Sequence, residues 1–203
     1  MHPPAGIILA GGRALRMGGG EKALLELGGR TMLDRVIDRL GPQVGRMALS
    51  ANGNLHRYAE YGLPVLRDTV PDFPGPLAGI LAGLDWAAGQ GLSHIATAAA
   101  DTPFFPTDMV KRLLAAARRA DTPIAMAATH SDGRLMRHPT FGLWPVSLRC
   151  DLREALEGGL RKITVWADLH GASTALFADE AFFNINTPQD FELAQAKLRT
   201  GAE

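Results

Sequence analysis

The sequence contains a single cysteine, Cys150, among its 203 residues. One cysteine cannot form an internal disulfide or a cysteine-based zinc site, and it fits a reducing compartment. The chain also has no excess of positive charge, because 21 basic side chains are matched by 21 acidic ones. This balance argues against a general surface for nucleic acid or for anionic membranes. It still allows one local cationic pocket.

Long apolar runs are missing too. No stretch approaches the ~20 apolar residues that a membrane-spanning helix needs. The start, MHPPAGIILAGG, lacks the basic region and the long apolar core of a secretory signal. No G-x-S-x-G motif or other signature of a serine or cysteine nucleophile is present. We therefore expect a soluble cytoplasmic protein with neither a nucleic-acid nor a membrane partner.

Apolar runs typical of buried strands alternate with segments of helical periodicity. Leu33, Val36, Ile37 and Leu40, for example, recur at the i, i+3, i+4, i+7 spacing of one helix face. The predicted strands span residues 6–10, 46–50, 63–66, 93–100, 124–128, 140–144, 172–177 and 181–185, and the predicted helices span residues 31–40, 75–91, 106–120, 147–157, 162–169 and 188–198. This alternation predicts an α/β fold with a mostly parallel sheet between two helical layers. The simplest organisation is one domain over residues 1–203.

Several polar residues share one position, directly after a predicted strand. They are Asn52, Asp68, Asp101, Asn186 and the loop that begins at Gly11. In open α/β sheets, ligands bind outside the carboxyl ends of the strands. We therefore expect these residues to converge on one site.

The loop after the first strand, in AGIILAGGRALRMGGGEKALLEL (5–27), combines glycines with basic residues. Glycines let the backbone approach a ligand closely, Arg16 can donate a bidentate pair of hydrogen bonds to phosphate, and Lys22 adds a point charge. The loop fits neither the P-loop nor the G-x-G-x-x-G pattern. The alternative interpretation is a glycine-rich turn with solvated basic side chains.

The other polar residues also have two explanations each. Asp101 either caps the helix that follows Pro103 or binds Mg²⁺, which takes one or two carboxylates together with phosphates and water. Asn52 and Asp68 either hydrogen-bond a base or ribose or simply form turns. His138 is either part of the site or a surface histidine.

Five motifs together resemble the molybdenum cofactor guanylyltransferases over about residues 5–195. The motifs are LAGGRALRMGGGEK (9–22), DTVPDFPGPLAGI (68–80), AADTPFFP (99–106), HPTFGL (138–143) and FNINTPQD (183–190). The first motif alone is shared by many nucleotidyltransferases of a Rossmann-like, three-layer α/β/α fold. The PGPLAG, D-T-P and N-x-N-T-P segments narrow the resemblance to this family.

The resemblance implies that GTP and the phosphate of molybdopterin give the guanine dinucleotide cofactor and pyrophosphate, with Mg²⁺. It implies catalytic roles for Arg16, Lys22 and Asp101, with Asp101 as the metal ligand. The implied GTP contacts are Leu9, Ala10, Gly11, Gly12, Lys22, Asn52, Asp68 and Asp101. The implied molybdopterin side comprises Gly75, Asn184 and Asn186. Roughly residues 130–203 are expected to contribute to that side. Ser50 is a weaker candidate for nucleotide binding, and Ala14 stands where many relatives have serine.

The implied partners are GTP and molybdopterin or Mo-molybdopterin. The resemblance further predicts contacts with other proteins of cofactor biosynthesis and with the molybdoenzymes, or their chaperones, that accept the product.

Three rival functions remain open from the residues. The same chemistry could use another base or acceptor, as in cytidylyl transfer to molybdopterin or nucleotidyl transfer to a sugar phosphate. A non-catalytic nucleotide-binding module would need no metal carboxylate, so Asp101 argues against it. A metal-dependent glycosyltransferase usually carries Asp-x-Asp at its metal, whereas position 103 is proline.

Overall fold

The structure, a computed structural model, describes residues 3–11, 21–70, 75–131 and 133–200. Within these ranges the strands are Ala5–Leu9 (β1), Glu26–Leu27 (β2), Arg30–Thr31 (β3), Arg46–Ser50 (β4), Val65–Leu66 (β5), His94–Ala99 (β6), Ala125–Ser131 (β7), Arg134–Pro145 (β8) and Ser173–Phe177 (β9). The α-helices are Met32–Leu40 (α1), Pro76–Gly89 (α2), Met109–Ala120 (α3), Arg149–Glu157 (α4), Ile163–Leu169 (α5) and Pro188–Thr200 (α6).

Seven of the described strands form one sheet in the order β5-β4-β1-β6-β8-β7-β9, and β2 pairs with β3 separately. The pairs β5–β4, β4–β1, β1–β6 and β7–β9 are parallel, whereas β8 runs antiparallel to both of its neighbours. The carboxyl ends of β1, β4, β5 and β6 therefore meet at one edge of the sheet. The predicted α/β fold with a mostly parallel sheet is confirmed.

Both faces of the sheet are covered by helices. Successive residues of β1 point to opposite faces: Ile8 packs in the cluster that contains α1 and α3, and Ile7 packs in the cluster that contains α2, α4 and α5. Both side chains are fully buried. A strand buried on both sides explains why the sequence is a continuous apolar run here rather than an alternating one.

The amino ends of α1 and α6 are fixed by their own side chains. At α1, the Asp34 amide donates to Thr31 Oγ1 and the Thr31 amide donates to Asp34 Oδ2, both at 3.0 Å. At α6, the Asp190 amide donates to Thr187 Oγ1 at 3.1 Å, and Pro188 is the first helical residue. Capping of this kind contributes ~1 kcal/mol to each helix.

One predicted strand is wrong. Residues 181–185 lie in a short 3₁₀ helix, Asp179–Phe182, followed by an irregular segment. The apolar residues that predicted a strand pack in the core of the protein instead, because Phe182 and Ile185 are both buried. The Ile185 amide donates to the Asp101 carbonyl at 2.9 Å, which ties this segment to the loop after β6.

The hairpin of β7 and β8 is longer than the sequence predicts and is irregular near its middle. Met126 pairs with Gly142, yet the next residue, Ala127, pairs with His138. Residues 139–141 therefore have no counterpart on β7, and Pro139 could donate no ladder hydrogen bond in any case. This bulge displaces Thr140 from the regular ladder.

In the described part of the chain, no helix is both long and apolar enough to cross a membrane.

Candidate active site

A cleft of about 320 Å³ opens at the carboxyl edge of the parallel strands. Its walls come from the ends of β1, β4 and β6, the segment after β5, the first turn of α2, the bulge of β8 and the segment after the 3₁₀ helix. The lining residues are Leu9, Gly11, Ser50, Asn52, Asp68, Gly75, Pro76, Gly79, Ala99, Asp101, Thr140 and Asn184. Of the residues expected to converge after strands, Gly11, Asn52, Asp68 and Asp101 line this cleft, whereas Asn186 is not among its lining residues and follows no strand.

At one end of the cleft, which we call the lysine end, Lys22, Asp101 and Asn186 form a linked group. Lys22 Nζ donates to Asp101 Oδ2 at 2.7 Å and to Asn186 Oδ1 at 2.6 Å. The Lys22 side chain is only 8% exposed and that of Asp101 is 24% exposed. A carboxylate and an amide oxygen thus hold the buried Lys22 amine in place beside the cleft.

Asp101 is not a helix cap. The helix that follows is α3, and its N-cap residue is Asp108. Asp101 Oδ2 accepts from Lys22, while Oδ1 accepts only a long 3.3 Å bond from the Thr102 hydroxyl. The capping alternative is thereby removed, and the carboxylate faces the cleft.

Asn186 reaches the lysine end because its own backbone is fixed. The amides of Asn186 and Thr187 both donate to Asp190 Oδ2, at 2.9 and 2.8 Å. These bonds, with the hydroxyl of Thr187, hold the pKa of Asp190 below its usual range. Residues 184–190 thus form a braced turn that presents Asn186 to Lys22 and Asn184 to the cleft.

At the other end, which we call the serine end, Ser50, Asn52, Asp68 and Gly79 surround the cleft. Asn52 Nδ2 donates to Asp68 Oδ2 at 2.7 Å, and the Asp68 amide donates to Asn52 Oδ1 at 3.2 Å. Burial raises the pKa of Asp68, and the hydrogen bond from Asn52 works against that rise. The reciprocal pair fixes the Asp68 carboxylate at the rim.

Glycines keep the walls of the cleft open. A Cβ built on Gly11 or Gly75 would meet no described atom within 4 Å. Gly75 has φ 154°, a conformation that favours glycine. At Gly79, by contrast, a Cβ would lie 2.6 Å from Ser50 Oγ and 3.0 Å from Leu9 Cδ2. The close approach of α2 to the strand ends therefore requires a glycine at position 79.

The structure also locates the remaining predicted residues. Leu9 lines the cleft, and Ala10 and Lys22 border a small cavity of about 20 Å³ that shares Leu9 and Asp101 with it. Gly12 and Arg16 lie outside the described residues, as does Ala14.

Pro76, Gly79 and Thr140 line the cleft but were not identified as site residues from the sequence. Pro76 and Gly79 belong to the GPLAG run, whose helical pattern gave no sign that its first turn faces a ligand. Thr140 lies in the HPT motif, and only the bulge of β8 brings it to the cleft.

His138 is half-buried rather than a free surface residue. Its Nε2 lies 3.0 Å from Thr129 Oγ1, and its ring stacks on Phe182 with 4.6 Å between the centroids. Burial lowers the pKa of His138. Its contacts support the bulge and the 3₁₀ helix beside the cleft, and His138 is not itself among the lining residues.

Comparison with known proteins agrees with this geometry. The molybdenum cofactor guanylyltransferase of Mesorhizobium japonicum is 50% identical over 200 residues, covering 95% of this chain and 93% of that protein. The molybdenum cofactor guanylyltransferase of Cereibacter sphaeroides is 48% identical over 198 residues, covering 97% of this chain and 98% of that protein.

A solved structure shares the fold. Molybdopterin-guanine dinucleotide biosynthesis protein A from Archaeoglobus fulgidus superposes with a TM-score of 0.74 at 22% identity, over 97% of this chain and 99% of that chain. A family model described as the MobA-like NTP transferase domain matches residues 6–171. The resemblance drawn from the sequence motifs is confirmed, and the chain belongs to the MobA-like NTP transferase family, with molybdenum cofactor guanylyltransferases as its relatives.

Proposed function

We propose that this protein transfers GMP from GTP to the phosphate of molybdopterin, giving the guanine dinucleotide form of the cofactor and pyrophosphate. The observation that carries the proposal is the buried Lys22 ammonium held by Asp101 and Asn186 at the end of an open cleft. The names of relatives that match nearly the full chain at 48–50% identity support the choice of base and acceptor.

The two ends of the cleft suit the two parts of a nucleoside triphosphate. The lysine end follows β6, and the serine end follows β4 and β5. Because β1 lies between β4 and β6, the ends are about two strand spacings apart, on the order of 10 Å. We assign the phosphates to the lysine end and the base to the serine end, with the nucleoside crossing the backbone of Leu9, Ala10 and Gly11.

The chemistry at the lysine end is displacement at the α-phosphorus. A phosphate oxygen of molybdopterin forms a bond to the α-phosphorus of GTP, the bond from that phosphorus to the α–β bridging oxygen breaks, and pyrophosphate leaves. A phosphate monoester is already nucleophilic, so the protein supplies no nucleophile. Its contribution is positioning and stabilisation of the charge that builds up on the leaving group. Lys22 supplies the positive charge that offsets this negative charge, together with Arg16 of the predicted phosphate loop.

Asp101 fits the role of a Mg²⁺ ligand. Among the described residues no group of three or more His, Cys, Asp or Glu side chains could hold a metal by itself. A nucleotide-bound Mg²⁺ needs only one or two carboxylates, since phosphates and water complete its shell. Asp101 lines the cleft, and its Oδ1 accepts a single long hydrogen bond from a described residue, which leaves that oxygen available to such an ion. When bound there, Mg²⁺ would offset negative charge on the triphosphate.

The acceptor side of the cleft consists of Gly75, Thr140 and Asn184, with Asn186 behind them at Lys22. These residues come from α2, the bulge of β8 and the braced turn at residues 184–190. Apart from Gly75, they belong to the segment from residue 130 onward that we assign to molybdopterin. Delivery of the product to other proteins of the pathway would start from this side.

The test is incubation of the protein with molybdopterin, Mg²⁺ and either GTP or CTP, with mass detection of the dinucleotide and measurement of pyrophosphate. We expect guanine dinucleotide and one pyrophosphate per product from GTP. Preferential turnover of CTP would instead indicate cytidylyl transfer, and nucleotide binding without pyrophosphate release would indicate a binding module. Turnover only with a sugar phosphate as acceptor would exclude molybdopterin.

The metal is tested with Asp101→Asn, which keeps the shape of the side chain. We expect the variant to need a much higher Mg²⁺ concentration for half-maximal rate than the wild type. An unchanged Mg²⁺ dependence would remove Asp101 from the metal site.

A further inference from the structure

Two buried threonines lie at the two ends of the bulge in β8. The polar or charged side chains that are buried in the described part of the chain are Lys22, Ser50, Thr97, Thr102 and Thr129. Thr97 belongs to β6 and is fully buried, and Thr129 belongs to β7 and is 2% exposed. Because β6 and β7 are the two neighbours of β8 in the sheet, the two threonines approach the bulge from opposite sides.

The bulge is unpaired on both sides. The pairing of β6 with β8 ends at Ala96 and Leu143, although β6 stays paired with β1 as far as Ala99. On the other side, residues 139–141 have no counterpart on β7. A continued register would place Ala99 opposite Thr140, yet both residues line the cleft instead. The cleft therefore extends into a split between β6 and β8.

The carboxyl end of the bulge is held by the Thr97 hydroxyl, at the point where the pairing stops. Thr97 Oγ1 accepts from Trp144 Nε1 at 2.9 Å and from the Gly142 amide at 3.3 Å, and it donates to the Gly142 carbonyl at 3.5 Å. These contacts use the one donor and both acceptor positions of a threonine hydroxyl. A Cβ on Gly142 would collide with the Trp144 ring. The Thr97 side chain thus takes the place of the next ladder contact.

The amino end of the bulge is held by the Thr129 hydroxyl. Thr129 Oγ1 lies 3.0 Å from His138 Nε2, and the His138 ring stacks on Phe182 with 4.6 Å between the centroids. His138 directly precedes Pro139, the first unpaired residue. The backbone of the bulge is therefore fixed immediately before and immediately after its unpaired residues.

We propose that Thr97 and Thr129 are positioning residues for the acceptor, because their hydroxyls hold the two ends of the bulge and so set the width of the split that Thr140 lines. Neither threonine lines the cleft, so both act through Gly142 and His138 rather than by contact with a ligand. Loss of the Thr97 hydroxyl would leave buried N–H groups unpaired, which favours a shift of the segment. The proposal rests on the assignment of this side of the cleft to molybdopterin under the proposed function.

The test separates the two substrates. Thr97→Val and Thr129→Val remove the hydroxyls but keep the branched shape, and Thr97→Ser and Thr129→Ser keep a hydroxyl. Thr122→Val is the matched control, because Thr122 Oγ1 donates to the Ile124 carbonyl at 3.1 Å and lies outside the cleft. Dinucleotide formation at saturating GTP and varied molybdopterin gives the constants for the acceptor, and calorimetry gives the affinity for GTP.

We expect each valine variant to lower kcat/KM for molybdopterin roughly 10- to 100-fold, mainly through KM, since a displacement of about 1 Å can cost ~10²-fold. The affinity for GTP should stay within about twofold of the wild type, because sites without shared partners are nearly independent. The serine variants should recover much of the loss, and the control should match the wild type.

Parallel weakening of GTP and molybdopterin would overturn the proposal, because the threonines would then support only the fold. An unchanged kcat/KM for molybdopterin in the valine variants would overturn it as well. Normal binding of GTP shows that a variant is folded. If Thr97→Val does not fold, Thr129→Val, whose partner His138 is only half-buried, decides.

Failure of the proposed function appears separately, as a wild type that forms no dinucleotide from GTP and molybdopterin. Calorimetric binding of molybdopterin to the same variants then decides the role of the threonines. Selective loss of that binding in the valine variants would support the proposal, whereas equal binding by all variants, or a wild type that binds no molybdopterin, would overturn it.

Discussion

The two ends of the cleft are built on different principles. At the lysine end the polar groups are bonded to one another before any ligand arrives: Lys22 already contacts Asp101 and Asn186. At the serine end Asn52 and Asp68 form a pair, but Ser50, at the wall of the cleft, makes no side-chain hydrogen bond to another described residue. The comparison suggests that the lysine end is preorganised for charge, whereas the serine end is completed by the ligand it selects.

The largest effect is expected at the lysine end. Lys22→Ala removes the buried cation that offsets charge on the triphosphate. We expect a loss of roughly 10²–10³ in kcat, by analogy with removal of one preorganised donor from an active site. Pyrophosphate release at saturating GTP and molybdopterin measures it. Lys111→Ala, an exposed lysine of α3, is the matched control and should retain full activity. A Lys22→Ala enzyme with normal turnover would exclude the role of Lys22.

The serine end should respond in binding rather than in the chemical step. Asp68→Asn keeps the size of the side chain but loses the charged acceptor. We expect kcat/KM for GTP to fall about 10- to 100-fold, the range for a hydrogen bond to a charged group, mainly through KM. Steady-state kinetics with varied GTP separates the two constants. A fall confined to kcat would contradict the assignment of this end to the base.

The contact between α2 and the strand ends should be visible in stability. Gly79→Ala places a Cβ 2.6 Å from Ser50 Oγ, and overpacking of this kind costs about 1–3 kcal/mol. Ser50→Ala removes that oxygen, so the double variant should recover much of the lost unfolding free energy. Urea denaturation of the wild type, both single variants and the double variant measures the coupling. Purely additive effects would show that the two positions do not touch.

The smallest effect concerns His138, which lies outside both ends. Because burial lowers its pKa in the folded protein, the unfolded chain binds the proton more readily. Stability should therefore fall as the pH drops below the usual histidine pKa of about 6.5, toward the lower pKa of the folded state. His138→Asn should flatten this part of the pH profile, measured by thermal unfolding between pH 7 and pH 5. His94, whose pKa burial also lowers, contributes to the slope in the same direction.

The sequence predicts the lysine end better than the serine end, for physical reasons. Asp101 follows an apolar strand as an isolated polar residue, and the rule that ligands bind at carboxyl strand ends locates it. Asn186 was placed at the same site through a strand at residues 181–185 that the structure does not contain. Lys22 is prominent because it stands in a glycine-rich loop. Ser50 gives a weaker signal, through the family resemblance, and Gly79 gives none, since a glycine within an apolar helix is common. Only the packing of α2 on β4 makes them a pair.

The acceptor side was predicted least well. The segment around Phe182 and Ile185 resembles a strand because it is a short, mostly apolar run, yet the Ile185 amide donates to the Asp101 carbonyl in the loop after β6. Thr140 reaches the cleft through a bulge, a feature that depends on the pairing of β8 with β7 and has no local sequence pattern except Pro139. Both features are products of tertiary contacts rather than of local propensity.

The central claim is that one cleft joins guanine selection to displacement at the α-phosphorus. The most direct measurement is the product mass from the wild-type protein incubated with molybdopterin, Mg²⁺ and an equimolar mixture of GTP and CTP. We predict the guanine dinucleotide as the dominant product, with one pyrophosphate released for each molecule formed. A cytosine dinucleotide in equal or greater amount, or no dinucleotide from either nucleotide, would contradict the claim.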